Sequence, residues 1–164
     1  MVTWAGDSNS GVIKINKEEI RKLKHQALAA PLKRARLCLH KGKDDSLQEM
    51  IIVLCKDSYV MPHAHKGKDE SLSVLEGSFY LVIFDEHGRV IEKIILRQHG
   101  QRSHFLCRVK ESVWHTVVPL SDFVVIHEII KGPFKGGARK KNAPWVPQKK
   151  DEIKNFIHTV VTRK

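Results

Sequence analysis

The sequence predicts an all-β sandwich or jelly-roll barrel with a short helix at each end, and three observations carry that expectation. Between Ala35 and Ile130 the chain divides into nine short β-branched runs: ARLCLH, QEMIIVLCK, SYVMPHAH, SLSVL, SFYLVIF, RVIEKIIL, SHFLCRV, VWHTVV and DFVVIHEII. The DEHGR turn between two of them is a hairpin signal, with Gly88 free to take positive φ. Helical periodicity is confined to the two flanks.

In chain order, Asn16 followed by Glu19 makes a capping-box pattern, Ile20, Leu23, Ala27 and Leu28 fall on one helical face, and Pro31 stops the helix. This helix is expected on the outside of the barrel. The nine runs follow. After Lys131, the Gly- and Pro-punctuated stretch KGPFKGGARKKNAPWVPQ reads as an ordered loop or flap. DEIKNFIHTVV reads as a short terminal helix with Ile153, Phe156, Ile157 and Val160 on one face. The expected organisation is one domain: an arm and helix over residues 1–32, a barrel over 33–131, and a loop and helix over 132–164.

Composition is consistent with that plan. A chain of 164 residues with 41% hydrophobic and 29% charged residues can bury one ordinary core. No apolar run approaches the roughly 18 residues of a membrane span, and MVTWAGDSNSG has no leader features, so a cytoplasmic protein without a membrane segment is expected. Cys38, Cys55 and Cys107 are odd in number and lie within apolar runs, which predicts buried free thiols. The net charge of +11 fits either a solvated basic surface or a small anionic ligand. Nucleic acid is not indicated, because the basic clusters lack interleaved aromatics and no nucleic-acid-binding motif is present.

The chemistry concentrates in PHAHKGKDESLSVLEG, residues 62–77. Alternate side chains of a strand share a face, so His63 and His65 can hold one ion together. Glu70 can return from the following turn, and His115 in ESVWHTVV can come from another strand. Three imidazoles and a carboxylate form a mixed N/O site for one divalent ion per chain, suited to Fe, Mn, Ni, Co or Zn. An internal echo, HKGKDDSL at 40–47 against HKGKDESL at 65–72, puts Cys38, His40 and Asp45 in the register of His63, His65 and Glu70. Ile52 stands where Gly77 would, and no counterpart of His115 exists, so shared turn chemistry rather than a second metal site is expected.

The spacing His-x-His, Glu, Gly, then a distant strand-borne histidine resembles the first and second motifs of the cupin fold. RARLCLH, YVMPHAH, LEG with VIFDEHGRV, VWHTVV and KGPF…NAPWVP further resemble the WbuC-type cupin-fold metalloprotein family, over roughly residues 15–148. The resemblance implies a cupin jelly roll, a metal-dependent activity and a link to surface-polysaccharide or nucleotide-sugar metabolism. The chain departs from the cupin pattern in places. Asp57 replaces a glycine of the first motif; Lys110, Glu111 and Ser112 replace the Pro-x-Gly before the last histidine, and Pro119 stands where asparagine is sometimes found.

Arg34, Arg36 and His40 alternate on one face of the first run and are candidates for holding an anionic or sugar-like substrate, a reading the family's similar Arg-x-Arg-x-x-x-His segment supports. Glu128, in an otherwise apolar run, is either solvated or an inward acid or base. Trp145 is expected to pin the tail onto the barrel. His25, His87, His99, His104, His127 and His158 have no spacing that ties them to the site. The expected function is a metal-dependent enzyme, isomerase- or epimerase-like, acting on a small anionic or carbohydrate substrate. An Fe(II)-dependent oxygenase and a non-catalytic metal-dependent sugar- or anion-binding module are the alternatives, and a homodimer is a further expectation.

Overall fold

The computed structural model describes residues 1–5, 11–134 and 140–162. Helix α1, Lys17–Ala29, begins with the complete capping box: the Asn16 side chain accepts from the Glu18 N–H at 2.7 Å and Glu19 accepts from the Asn16 N–H at 2.9 Å. Nine strands then fall on the nine apolar runs: β2 (Arg34–Cys38), β3 (Leu47–Cys55), β4 (His63–His65), β5 (Glu70–Glu76), β6 (Ser78–Phe84), β7 (Val90–Arg97), β8 (Leu106–Val109), β9 (Trp114–Pro119) and β10 (Phe123–Lys131). Two short strands at the flanks complete the set, β1 (Val2–Trp4) and β11 (Lys140–Asn142), and helix α2 spans Lys150–Thr162.

The strands form two sheets, ordered β1-β2-β3-β10-β5-β8 and β11-β4-β9-β6-β7. Every hairpin and crossover keeps antiparallel pairing except β1, which lies parallel to β2. Leu54, Leu72, Val74, Val124 and Ile126 of the first sheet meet Phe79, Leu81, Leu96 and Val117 of the second, and these side chains make the central core. The outer face of each sheet is closed by a helix. α1 lays Leu23 and Ala27 on Ala35, Leu37, Ile51 and Val53, while α2 lays Phe156, Ile157 and Val160 near Val82, Phe84 and Val118. The molecule is therefore an all-β jelly roll with one short helix on each side.

Several details differ from the sequence expectation. Leu28 is 47% exposed, because the stripe of α1 that meets the sheet is narrow and ends at Ala27 and Ala30. The KGPF…PQ stretch contains β11, too short and polar to signal itself, paired with the metal-motif strand β4; its residues 135–139 lie outside the described set. Trp145 packs against Phe84 at 5.0 Å between ring centroids and covers Gly88, where a Cβ would come within 2.7 Å of the indole. It pins the tail to the second sheet. All three cysteines are free thiols, Cys38 and Cys55 buried and Cys107 half-buried. Among the described residues, no helix is long and apolar enough to cross a membrane.

Candidate metal centre

The pairing of strands gathers the four candidate ligands from three strands in two sheets. β4 meets β9 in the register His63↔His115, so these two imidazoles stand side by side, and the His-x-His alternation brings His65 to the same face. Glu70 begins β5 in the opposite sheet and closes the site from across the barrel. Their ligand atoms all lie within 4.8 Å of one another. His63, His65, Glu70 and His115 are only 6%, 6%, 3% and 1% exposed.

Hydrogen bonds fix which ring atoms face the centre. His63 Nδ1 lies 2.8 Å from the Met61 carbonyl and His115 Nδ1 lies 2.9 Å from the Val113 carbonyl, so each Nδ1–H donates outward and each Nε2 presents a lone pair inward. His115 Nε2 then stands 2.5 Å from Glu70 Oε1, and His65 Nε2 3.2 Å from Glu70 Oε2. With His115 Nδ1 protonated, the Glu70 and His115 atoms face each other as two acceptors. Both are buried and lack a hydrogen-bond partner, as does His65 Nδ1. Such an apposition is repulsive unless a cation sits between the groups, and a buried carboxylate with no cation is costly. The donor set fits a divalent metal.

The electrostatics give the same picture. Burial alone would push the Glu70 carboxyl up, but His115 and His65, which donate to it and carry charge when protonated, hold it well below the usual carboxylate range. Burial alone would lower His115, yet the Glu70 carboxylate raises it above the ordinary imidazole value, with a smaller contribution from Glu128. A proton, the simplest cation, is attracted to the position where a metal would bind.

The turn leading to His115 departs from the cupin pattern at Ser112, and the structure shows how the chain copes. Ser112 takes φ +63, the left-handed conformation that glycine adopts freely, and its N–H donates to the His65 carbonyl at 2.8 Å. Asp57, at the other glycine position, takes no left-handed conformation. Ser112→Gly is expected to stabilise the protein by about 0.5–1 kcal/mol, read as a rise of a few degrees in thermal midpoint. An unchanged or lowered midpoint would mean that the serine is not strained there.

The remaining candidates occupy one concave sheet face at different distances. Register places Cys38, Met50, Glu128, Leu72 and Cys107 in one row across the first sheet, and Gln48, Ile130, Glu70 and Val109 in the next. Glu128 is thus inward and a diagonal neighbour of Glu70, a separation of about 7–8 Å. Arg36 lies in the row of Ile52, Ile126 and Val74, and Arg34 one row further. Over the sheet surface, Arg36 is three strands, about 14 Å, across and four residues, about 13 Å, along from Glu70. Arg34 is half-buried and Arg36 exposed; burial, then the charge of Arg36, lowers the Arg34 pKa. His40 is buried, its Nδ1 accepting from the Glu49 N–H at 3.1 Å and its ring edge-on to Trp4 at 5.1 Å.

Sequence reasoning passed over Lys68, which lies between His65 and Glu70 and is only 2% exposed. Its Nζ donates to the Pro133 carbonyl at 2.6 Å and stands over the Phe134 ring, tying the end of β10 to the metal loop. A lysine in a KGKD turn gives no sequence signal of burial. In the echo segment, Asp45 caps its own loop by accepting from Lys41 and Leu47 N–H groups. The cluster of His63, His65, Glu70 and His115 is the metal-ligating group found among the described residues.

A two-sheet jelly roll whose interior presents three histidines and a glutamate defines a cupin-fold protein with a candidate metal centre. The chain belongs to the family described as a domain of unknown function (DUF6016), whose model matches residues 15–96, half of its length and three of the four candidate ligands. Among solved structures it is similar to the SPY1581 protein of unknown function from Streptococcus pyogenes, at 9% identity and TM-score 0.51 over 80% of this chain and 96% of that one. It is also similar to protein SO0799 from Shewanella oneidensis, at 10% identity and TM-score 0.51 over 63% of this chain and 66% of that one. KdgF from Halomonas sp. matches at 17% identity and TM-score 0.47, over 60% and 77%. Other matched chains are longer, this chain spanning 21% of one and 51% of another. At these identities the likeness concerns the fold. No curated protein matches the sequence.

Proposed function

We propose that this protein is a metal-dependent enzyme of the WbuC-like type, holding one divalent ion through His63, His65, Glu70 and His115 and acting on a small anionic or carbohydrate substrate. The observation that supports it most is the apposition of Glu70 Oε1 and His115 Nε2, buried, unpartnered and 2.5 Å apart. A bound divalent ion would supply a Lewis acid for a carbonyl or enediolate oxygen. Three neutral histidines and one carboxylate leave such a centre with one net positive charge, which favours an anionic ligand.

Glu128 is the acid or base of this reading. It shares the concave face with Glu70, and its charge reaches both the His115 imidazole and the Cys38 thiol. The Cys38 thiol also feels Arg36, so Arg36, Cys38 and Glu128 trace a polar route along the face toward the ligands. In the proposed mechanism, the substrate extends from the ligands along the face with its anionic group toward Arg36, the nearer of the two arginines, while Glu128 moves a proton at the carbon next to the reacting oxygen. His40, already engaged with Glu49, shapes the strand end on this path.

Native purification with metal analysis, followed by turnover assays on a panel of sugar phosphates with and without oxygen, tests the reading. Oxygen-dependent turnover would favour the Fe(II) oxygenase, and tight binding of the same sugars without turnover the binding module. Glu128→Gln is expected to lower turnover by about 100-fold or more while metal content stays unchanged. Arg36→Ala is expected to raise KM without a matching fall in kcat. Full activity of Glu128→Gln would remove Glu128 from the chemistry.

A further inference from the structure

A cavity lies outside the metal centre, on the far side of β9. β4 pairs with β9 only at His63↔His115. The chain preceding β4 leaves the sheet, and the space between it, the Pro31–Lys33 turn and α2 is a cavity of about 910 Å³. None of the four candidate ligands lines it. This volume falls within the usual range of small-molecule sites.

Its lining combines two chemistries. One wall is apolar, with Val118 of β9 facing Ile153, Phe156 and Ile157 of α2. α2 is held in place by Val160 and Phe156 against Val82, Phe84 and Trp145, and these same two side chains also border the cavity. The cavity is also lined by Lys33 and Lys56, and by Lys154 of α2, against one acid, Asp57. Tyr59 also lines the cavity, and its hydroxyl is buried. Three lysines against one acid call for an anionic head, and the apolar wall calls for a hydrocarbon body.

We propose that this cavity binds an amphipathic anion, with the chemistry of a medium-chain carboxylate. The head is held by the lysines, and the tail lies between β9 and α2. The site is separate from the metal centre and independent of the reaction proposed there.

Decanoate and decanol, titrated into the metal-loaded full chain by displacement of 1-anilinonaphthalene-8-sulfonate, test the proposal. Decanoate is expected to bind saturably at one per chain and at least about tenfold more tightly than decanol. Reversing charge with Lys56→Glu and Lys154→Glu together is expected to weaken decanoate at least about tenfold and leave decanol unchanged. Ile153→Trp is expected to fill the apolar wall and abolish binding of both. Metal content equal to that of the parent protein verifies that each variant is folded. Absence of saturable binding at millimolar decanoate, equal affinity for decanoate and decanol, or binding unmoved by both Ile153→Trp and the charge reversal would each overturn the proposal.

Discussion

His115→Ala is expected to abolish stoichiometric metal binding, and His63→Ala to do the same, with metal per chain falling from about one to near zero in protein purified without chelator. Each removes an Nε2 that the Val113 or Met61 carbonyl holds aimed at the centre, and no other described imidazole is placed to substitute. Metal saturation should raise the thermal midpoint of the parent protein, because binding to the folded state alone adds to stability in proportion to the logarithm of ligand excess. The same addition should do nothing to His115→Ala. Full metal occupancy in both alanine variants would refute the ligand assignment.

Acid should strip the metal, and the sign follows from the two shifts. Imidazole binds metal only when neutral, and the Glu70 carboxylate makes His115 hold its proton more tightly than the ordinary value of 6.5. Metal affinity should therefore begin to fall above pH 6.5 and keep falling toward pH 5. The metal-free protein behaves differently. Its lowered Glu70 contributes stability present above about 4.5 and lost as pH falls, and its raised His115 contributes stability present below 6.5 and lost as pH rises through the folded-state value. This pair thus favours the metal-free fold most between about pH 4.5 and 6.5, where metal is being lost. Metal retention unchanged between pH 8 and 5, by dialysis and metal analysis, would contradict a three-histidine site.

Gly77→Ala is expected to destabilise the protein by about 3 kcal/mol or more, a fall of roughly 6–12 °C in thermal midpoint. Gly77 takes φ +79, and a Cβ there would lie 2.3 Å from the Phe123 carbonyl oxygen, backbone that cannot swing aside. Both costs fall on the turn from β5 to β6, where the chain passes from one sheet to the other. Gly100→Ala is the control, since Gly100 also has positive φ, at +93, but nothing lies within 4 Å of its Cβ position. It should lose about 1 kcal/mol, the conformational part alone. Equal losses at the two glycines would show that the close approach at Phe123 carries no weight.

The sequence by itself determined what depends on short-range period and spacing. Alternation of side chains located the nine strands from β2 to β10, the Asn16 and Glu19 capping box located α1, and the apolar spacing of Phe156, Ile157 and Val160 located α2. The His-x-His spacing with Glu70 was legible because a strand's two-residue period makes His63 and His65 share a face whatever the partner strands do. Only the tertiary structure decided what depends on which strands pair and in what register. It brought His115 beside His63, turned Glu128 inward near Glu70, and set β2 three strands from β5, which placed Arg34 and Arg36 across the sheet from the ligands. It also buried Lys68, paired β11 with β4 and opened the cavity behind β9. Those outcomes are set by contacts between residues distant along the chain. Local composition leaves them undetermined, because the same polar KKN or KGKD segment is stable in solvent or against a neighbour until a partner strand or carbonyl is supplied.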